Sequence, residues 1–233
     1  MTTTTSELIT KAQAAKKAAR ELRKLPTSAK NAALEAIAEA LLREQGPVLE
    51  ANALDMEAGK VAGLNDALLD RLLLNDSRLN GMAADVRNIV ALDDPVGESF
   101  DQRTLPNGIR VERRRVPLGV IGTIYESRPN VTVDISALCL KSGNAVVLRG
   151  GKEAIHSNQA LVKVVRKALE SAGVTPEAIQ FVTDTDRAVV DEMIKLNDYI
   201  DLLIPRGGEG LIKYVRDNAS VPAITGGIGV VHT

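Results

Sequence analysis

Cysteine occurs once in these 233 residues, at Cys139. A single thiol excludes an internal disulfide and a zinc cluster built on thiolates. Histidine occurs twice, at His156 and His232, too few for most metal sites, so no metal is expected. Tryptophan is absent and aromatic residues make up 2% of the chain, which removes the stacking platform that single-stranded nucleic acid requires. An excess of positive charge is missing too: the formal net charge is −1, against the basic bias of a nucleic-acid binder. No apolar run approaches the roughly 20 residues that span a bilayer. The opening MTTTTS lacks the basic and apolar regions of a secretory signal. The expectation is a cytoplasmic chain, with neither nucleic acid nor membrane among its partners.

What is present suits one sizeable globular domain or two small ones, with 45% hydrophobic and 25% charged residues. The first part reads as helices. Ser6 is a fitting N-cap for a helix to about Leu25. Ser28 can cap a second helix through about Glu44, whose Ala33, Leu34, Ile37, Ala38, Leu41 and Leu42 share one face. Gly46-Pro47 reads as a turn before a third helix to about Ala62. A loop with a short helix then covers 63–75, and Asp76 or Ser77 can cap a further helix to about Leu92.

Asp93-Asp94-Pro95 marks a change of period. Two extended segments, 96–105 and 109–116, flank Pro106-Asn107-Gly108, and Asn-Gly between such segments is a strong hairpin signal because both residues tolerate positive φ. Strand and helix patterns alternate from there. Val120 to Tyr125 has the length and β-branching of a buried strand, and Glu126-Ser127-Arg128-Pro129 stops it. A helix to Lys141 follows, with Val131, Ile135, Leu138 and Cys139 at helical spacing, and Gly143 ends it. Further strands are expected at 145–148, 179–182, 200–204 and 221–224, with helices at 154–172, 186–196 and 209–218. Five strands and four intervening helices predict an α/β fold built on a doubly wound parallel sheet.

Three glycine pairs each follow a strand: Gly150-Gly151, Gly207-Gly208 and Gly226-Gly227. In a parallel sheet these turns gather at one edge, where glycine lets a ligand approach the backbone and helix N-termini favour anions. Arg149, Lys152 and Arg206 add positive charge there, so a phosphate-bearing ligand is the natural fit. The plainer alternative is that the glycines only make tight turns. No G-x-G-x-x-G follows a strand, and Gly151-Lys152 lacks the rest of a P-loop, so any nucleotide mode is a non-standard one. Cys139, mid-helix between two leucines and with no adjacent base, reads as a structural thiol. Asn130 can either donate to a developing oxyanion or cap its helix.

The stretches RRRVPLGVIGTIYESRPNVTVD, LCLKSGNAVVLRGGKEA, DLLIPRGGEGL and ITGGIGVVH, with LDRLLL and DDPVG upstream, resemble the γ-glutamyl phosphate reductase (glutamate-5-semialdehyde dehydrogenase) family of the aldehyde dehydrogenase superfamily. The resemblance implies an aldehyde-dehydrogenase-like N-terminal half: a helical layer over 1–94, a bridging hairpin over 95–117, and a five-stranded NADP-binding, Rossmann-like domain over 118–233. It implies NADPH-dependent reduction of γ-glutamyl phosphate to glutamate 5-semialdehyde and phosphate, the second step of proline biosynthesis. Arg149 stands where the superfamily places a lysine on the adenosine ribose, and Lys152 would assist with the 2′-phosphate. Gly207 and Gly208 match the turn over the pyrophosphate; Gly226 and Gly227 match the turn beneath the nicotinamide. The cofactor-binding set it implies is Glu126, Ser127, Arg149, Gly151, Lys152, Arg206, Gly207, Gly208, Thr225, Gly226 and Gly227, with Asn130 as an oxyanion donor. Ile224 occupies the position at which hydrolytic members carry a glutamate, in keeping with acyl transfer to or from phosphate rather than water. Segment 96–116 would join subunits of a homo-oligomer, and glutamate 5-kinase is an expected associate. Cys139 does not match the family's nucleophile, which follows this region in a second domain, so these residues are expected not to turn over alone. The competing readings are a non-catalytic dinucleotide-binding or assembly module, and a complete small enzyme using Cys139.

Overall fold

The computed structural model describes residues 6–226. The chain opens with five helices: α1 (Glu7–Leu22), α2 (Thr27–Arg43), α3 (Gln45–Val61), α4 (Asp66–Leu72) and α5 (Asp76–Ala91). Their starts follow local chemistry. Ser6, Asn65 and Asn75 each accept a hydrogen bond from a first-turn amide of the helix they precede, at 3.2, 3.0 and 2.8 Å. Three expected boundaries shift. Ser28 does not cap α2, which begins at Thr27 behind Pro26 without a side-chain cap. The α5 cap is Asn75, since it alone holds extended backbone with its side chain on the Arg78 amide. Gly46-Pro47 lies inside the first turn of α3, where a missing N–H costs nothing.

The hairpin follows as β1 (Ser99–Thr104) and β2 (Arg110–Arg114), antiparallel, with Gly108 at φ +84° in its turn. It is solvent-exposed along nearly all of its length. The remainder is β3 (Val120–Ile124), α6 (Asn130–Lys141), β4 (Ala145–Arg149), α7 (Ile155–Ser171), β5 (Ile179–Phe181), α8 (Arg187–Met193), β6 (Leu202–Leu203) and α9 (Glu209–Asn218). The parallel sheet runs in the order β5-β4-β3-β6. Every residue of β3 and β4 is buried, as continuous apolar runs in a two-sided parallel sheet require.

The fifth strand expected at 221–224 is reduced to a single parallel bridge, Ala223 to Leu203, and β6 itself is two residues long. Pro222 sits in the middle of that segment with no N–H to give, which keeps the pairing to one bridge. Among the described residues the sheet therefore has four strands.

One buried apolar cluster runs from α1 and α2 through β3, β4 and α7. Polar latches fix the helices onto the sheet. The buried Asp55 carboxylate of α3 accepts from the His156 amide at 3.1 Å, and from the Ser157 amide and hydroxyl at 2.7 and 2.6 Å, at the start of α7. Asn52, one turn earlier, bonds Ser157 Oγ, the Leu72 carbonyl and the Leu74 amide. Where the helices give way to the hairpin, Asp94 pairs with the buried Lys30 at 2.5 Å. No helix among the described residues is long and apolar enough to cross a membrane.

Candidate functional site

The carboxyl ends of β3 and β4 and the turn after β6 meet at one cleft of about 630 Å³, closed on its other side by α8 and α9. This is the sheet edge at which parallel α/β folds hold ligands. Its floor is Ile124 and Tyr125, at the end of β3. The Tyr125 hydroxyl is buried and lies 2.6 Å from Thr132 Oγ1, which in turn is 2.9 Å from Asn158 Oδ1. Burial pushes the Tyr125 phenol well above its ordinary range, so it stays protonated. Gly150 is required beside this network: a Cβ there would lie 2.3 Å from Asn158 Nδ2 and 3.2 Å from the Tyr125 ring.

Arg149, the last residue of β4, lines the cleft with only 9% of its surface exposed. One terminal nitrogen donates to the Gly150 carbonyl, and the other to the Thr185 and Asp186 carbonyls. Its Nε has no partner among the described residues. Burial draws its pKa down, against the pull of Glu153, Asp184 and Asp186. A guanidinium fixed at a sheet edge places positive charge where an anionic ligand would lie.

Glu126 crosses from the end of β3 to the start of α9, where its carboxylate accepts from the Gly208 amide at 2.9 Å. A Cβ on Gly207 would sit 2.8 Å from the Glu126 carboxyl and from Leu211 Cδ2, so glycine is required there by close approach. Three expected residues, Glu126, Arg149 and Gly208, thus line one cleft, with Gly207 packed directly behind Glu126.

The other expected residues stand elsewhere. Gly151 and Ser127 are tied together by Glu153. Its carboxylate accepts from the Ser127 amide and hydroxyl, both at 2.7 Å, and fills the space a Cβ on Gly151 would need. Ser127 holds a positive φ of 43° under that clamp. Lys152 is exposed in a short 3-10 turn and does not line the cleft. Arg206 gives the sheet its main chain, through the Ile124 carbonyl and the Glu126 amide, but it lines a different cleft, with Asp134 and Ile224. Thr225 and Gly226 lie outside the lining, and Gly227 and His232 fall outside the described residues. Asn130 lines a third cleft, and its amide nitrogen donates to Asp134 at 3.0 Å.

Arg187, Asp191 and Tyr214 belong to the site and were not read from the sequence. The Tyr214 hydroxyl donates to Asp191, joining α9 to α8 across the cleft. The cap of α8 is Asp186 rather than the expected Asp184 or Thr185: its carboxylate accepts from the Ala188 amide, and Arg187, the next residue, enters the cleft. Of the α6 residues read at helical spacing, Cys139 is buried and Val131 and Ile135 pack partly buried against the core, whereas Leu138 turns outward. The buried side of α6 carries Val133, Ala137 and Leu140, and Leu138 is 49% exposed. Cys139 is buried, and burial pushes its thiol up to about 12, a setting that disfavours the thiolate a nucleophile needs. Among the described residues no group of histidine, cysteine or carboxylate side chains is placed to hold a metal.

The aldehyde dehydrogenase family matches residues 1–223. The chain belongs to that family. It is 55% identical over 226 residues to γ-glutamyl phosphate reductase of Dehalococcoides mccartyi strain CBDB1, covering 97% of this chain and 53% of that protein. It is 53% identical over 226 residues to the Vibrio vulnificus strain YJ016 protein of the same name, covering 97% of this chain and 54% of that one. The crystal structure of γ-glutamyl phosphate reductase from Thermotoga maritima superimposes with a TM-score of 0.94 at 46% identity, over 96% of this chain and 54% of that one. An acetylating aldehyde dehydrogenase from Geobacillus thermoglucosidasius shares the fold, with a TM-score of 0.73 at 21% identity. The chain spans about half the length of the curated relatives it matches. Aldehyde dehydrogenase membership implies a nicotinamide dinucleotide cofactor. The observed cleft lies at the sheet edge where such a ligand binds, with the guanidinium of Arg149 on one side and Arg187, Asp191 and Tyr214 on the other.

Proposed function

We propose that this chain carries the dinucleotide-binding part of an NADPH-dependent reductase. The whole enzyme would convert γ-glutamyl phosphate to glutamate 5-semialdehyde and phosphate, the second step of proline biosynthesis. The observation that carries this is Arg149: a guanidinium 9% exposed, held by the Gly150, Thr185 and Asp186 carbonyls at the end of β4, on a cleft at the carboxyl edge of a parallel sheet. NADPH supplies a hydride when bound. Arg149 and Arg187 would hold its anionic and ribose groups, and the amides opening α9 would receive a phosphate oxygen. Tyr125 and Thr132, neutral and mutually bonded, keep the floor rigid. Acyl transfer from phosphate needs a nucleophile, and the buried Cys139 does not meet that need, so these 233 residues alone are expected to show no reductase turnover. The exposed hairpin is the arm through which two copies would join, since an isolated two-stranded ribbon gains little stability by itself.

Equilibrium titration with NADPH, followed by nicotinamide fluorescence, tests the reading. Saturable binding in the wild type and loss of about tenfold or more in affinity for Arg149→Ala are expected. Equal affinity in the two proteins would overturn it.

A further inference from the structure

The turn that leaves β3 borders two clefts. Glu126 lines the one described above, whereas Arg128 and Asn130 line another of about 410 Å³, which lies against α4 and α5. Three arginines reach this second cleft: Arg71 from the end of α4, Arg78 from α5, and Arg128. Arg78 is already committed, to Asp70 at 2.6 Å and to the Leu73 carbonyl at 2.8 Å. Arg71 and Arg128 are exposed, and neither takes part in an ion pair or a side-chain hydrogen bond among the described residues. Asp85 is the one acid on the cleft not held by an arginine. Gly81 also lines the cleft and leaves it open there: a Cβ built on it meets nothing within 4 Å.

The cleft thus carries two uncommitted guanidiniums against one uncommitted carboxylate, and an oxyanion that accepts hydrogen bonds from the guanidiniums offsets the surplus charge. The hollow beside Gly81 gives such a group somewhere to lie. We propose that this cleft is the anion-recognition site for the substrate, in which Arg71 and Arg128 receive an acidic group of a small acyl phosphate. The assignment of that ligand rests on the function proposed above; the convergence of the arginines does not. The bound acid would lie across a five-residue turn from the dinucleotide cleft. The acidic group is an oxyanion of either kind, phosphoryl or carboxylate, and both fit the fork of a guanidinium.

The test is a pair of titrations of the isotope-labelled chain at constant ionic strength, one with inorganic phosphate and one with L-glutamate, each against sodium chloride as control. Backbone and arginine Nε–H signals are followed by NMR. Saturating shifts at Arg71 and Arg128 are expected with at least one anion and not with chloride. Phosphate alone assigns the site to the phosphoryl group, and L-glutamate alone to a carboxylate. Arg71→Gln with Arg128→Gln should weaken the response at least about tenfold. Gly81→Leu should do so by filling the cleft with both charges intact. Because all three positions are solvent-accessible, a thermal melt verifies that each variant folds. Shifts that match those from chloride, or that survive in both kinds of variant, overturn the proposal. NADPH titrated against the same variants keeps the two claims apart: unchanged NADPH affinity with lost anion binding is expected. If NADPH binds and neither anion does, this site falls and the dinucleotide reading stands. If NADPH fails to bind while either anion saturates at Arg71 and Arg128, the dinucleotide reading falls and the oxyanion site stands.

Discussion

The carboxylate of Glu126 accepts a hydrogen bond from the Gly208 amide at 2.9 Å, at the amino end of α9. A side-chain anion thus takes the position that the helix start offers to a phosphate. A dinucleotide that uses this amide has to displace Glu126 and tolerate its charge. Glu126→Gln is therefore expected to bind NADPH more tightly than the wild type, by a few-fold to about tenfold, corresponding to about 1 kcal/mol. Isothermal titration reads it directly; weaker binding by the variant would show that Glu126 holds the ligand instead of competing with it.

The Asp55 latch should be the most costly polar contact to cut. Its buried carboxylate is met by three donors at the start of α7. Asp55→Ala leaves the Ser157 hydroxyl and two amides unsatisfied in a dry setting, at a cost of about 3 kcal/mol. For a chain of this length that lowers the melting temperature by roughly 6–12 °C. A change within the noise of a thermal melt would mean that water replaces the carboxylate.

Acid stability should carry the mark of Glu7. Burial acts to raise its pKa, but Lys11 and the amide and hydroxyl of Thr183 outweigh that and bring it from 4.5 to about 2. The folded pKa lies below the unfolded one, so the contribution is complete above pH 4.5 and is lost as pH falls through about 2. Urea unfolding of the wild type and Glu7→Gln across that window should show a gap that closes toward the acid end. A gap of constant size would contradict the assignment.

Gly150→Ala tests the floor of the cleft. The added methyl would meet Asn158 Nδ2 at 2.3 Å and the Tyr125 ring at 3.2 Å, both buried. The variant should lose about 1–3 kcal/mol of stability and weaken NADPH binding together. A melt identical to that of the wild type would show that the network shifts freely.

Much of this architecture was legible in the residues themselves. Asn107-Gly108 marked the hairpin because few residues other than glycine accept the φ of +84° found there. Paired glycines after apolar runs pointed to the sheet edge where the cleft lies. What could not be read was direction across space. Asp55 looks like an ordinary helix-surface charge, since its partners lie about 100 residues further along the chain. Val131, Ile135 and Leu138 share helical spacing, but spacing alone does not tell that Leu138 opens onto a cleft while the other two pack against the core. Arg206 follows its strand as Arg149 does, yet the two line different clefts, because successive side chains leave an extended backbone on opposite sides. The last strand failed because its propensity is local whereas its pairing depends on Pro222, which has no amide proton to offer.

The central claim is that a nicotinamide dinucleotide lies between β3, β4 and the start of α9. The most direct measurement is the map of amide shifts in the labelled chain as NADPH is added. The account predicts saturating changes clustered at Tyr125, Glu126, Arg149, Arg187 and Gly208, with Arg71 and Arg128 left in place. Changes confined to the hairpin or to the Arg128 cleft, or no saturable change at all, would contradict it.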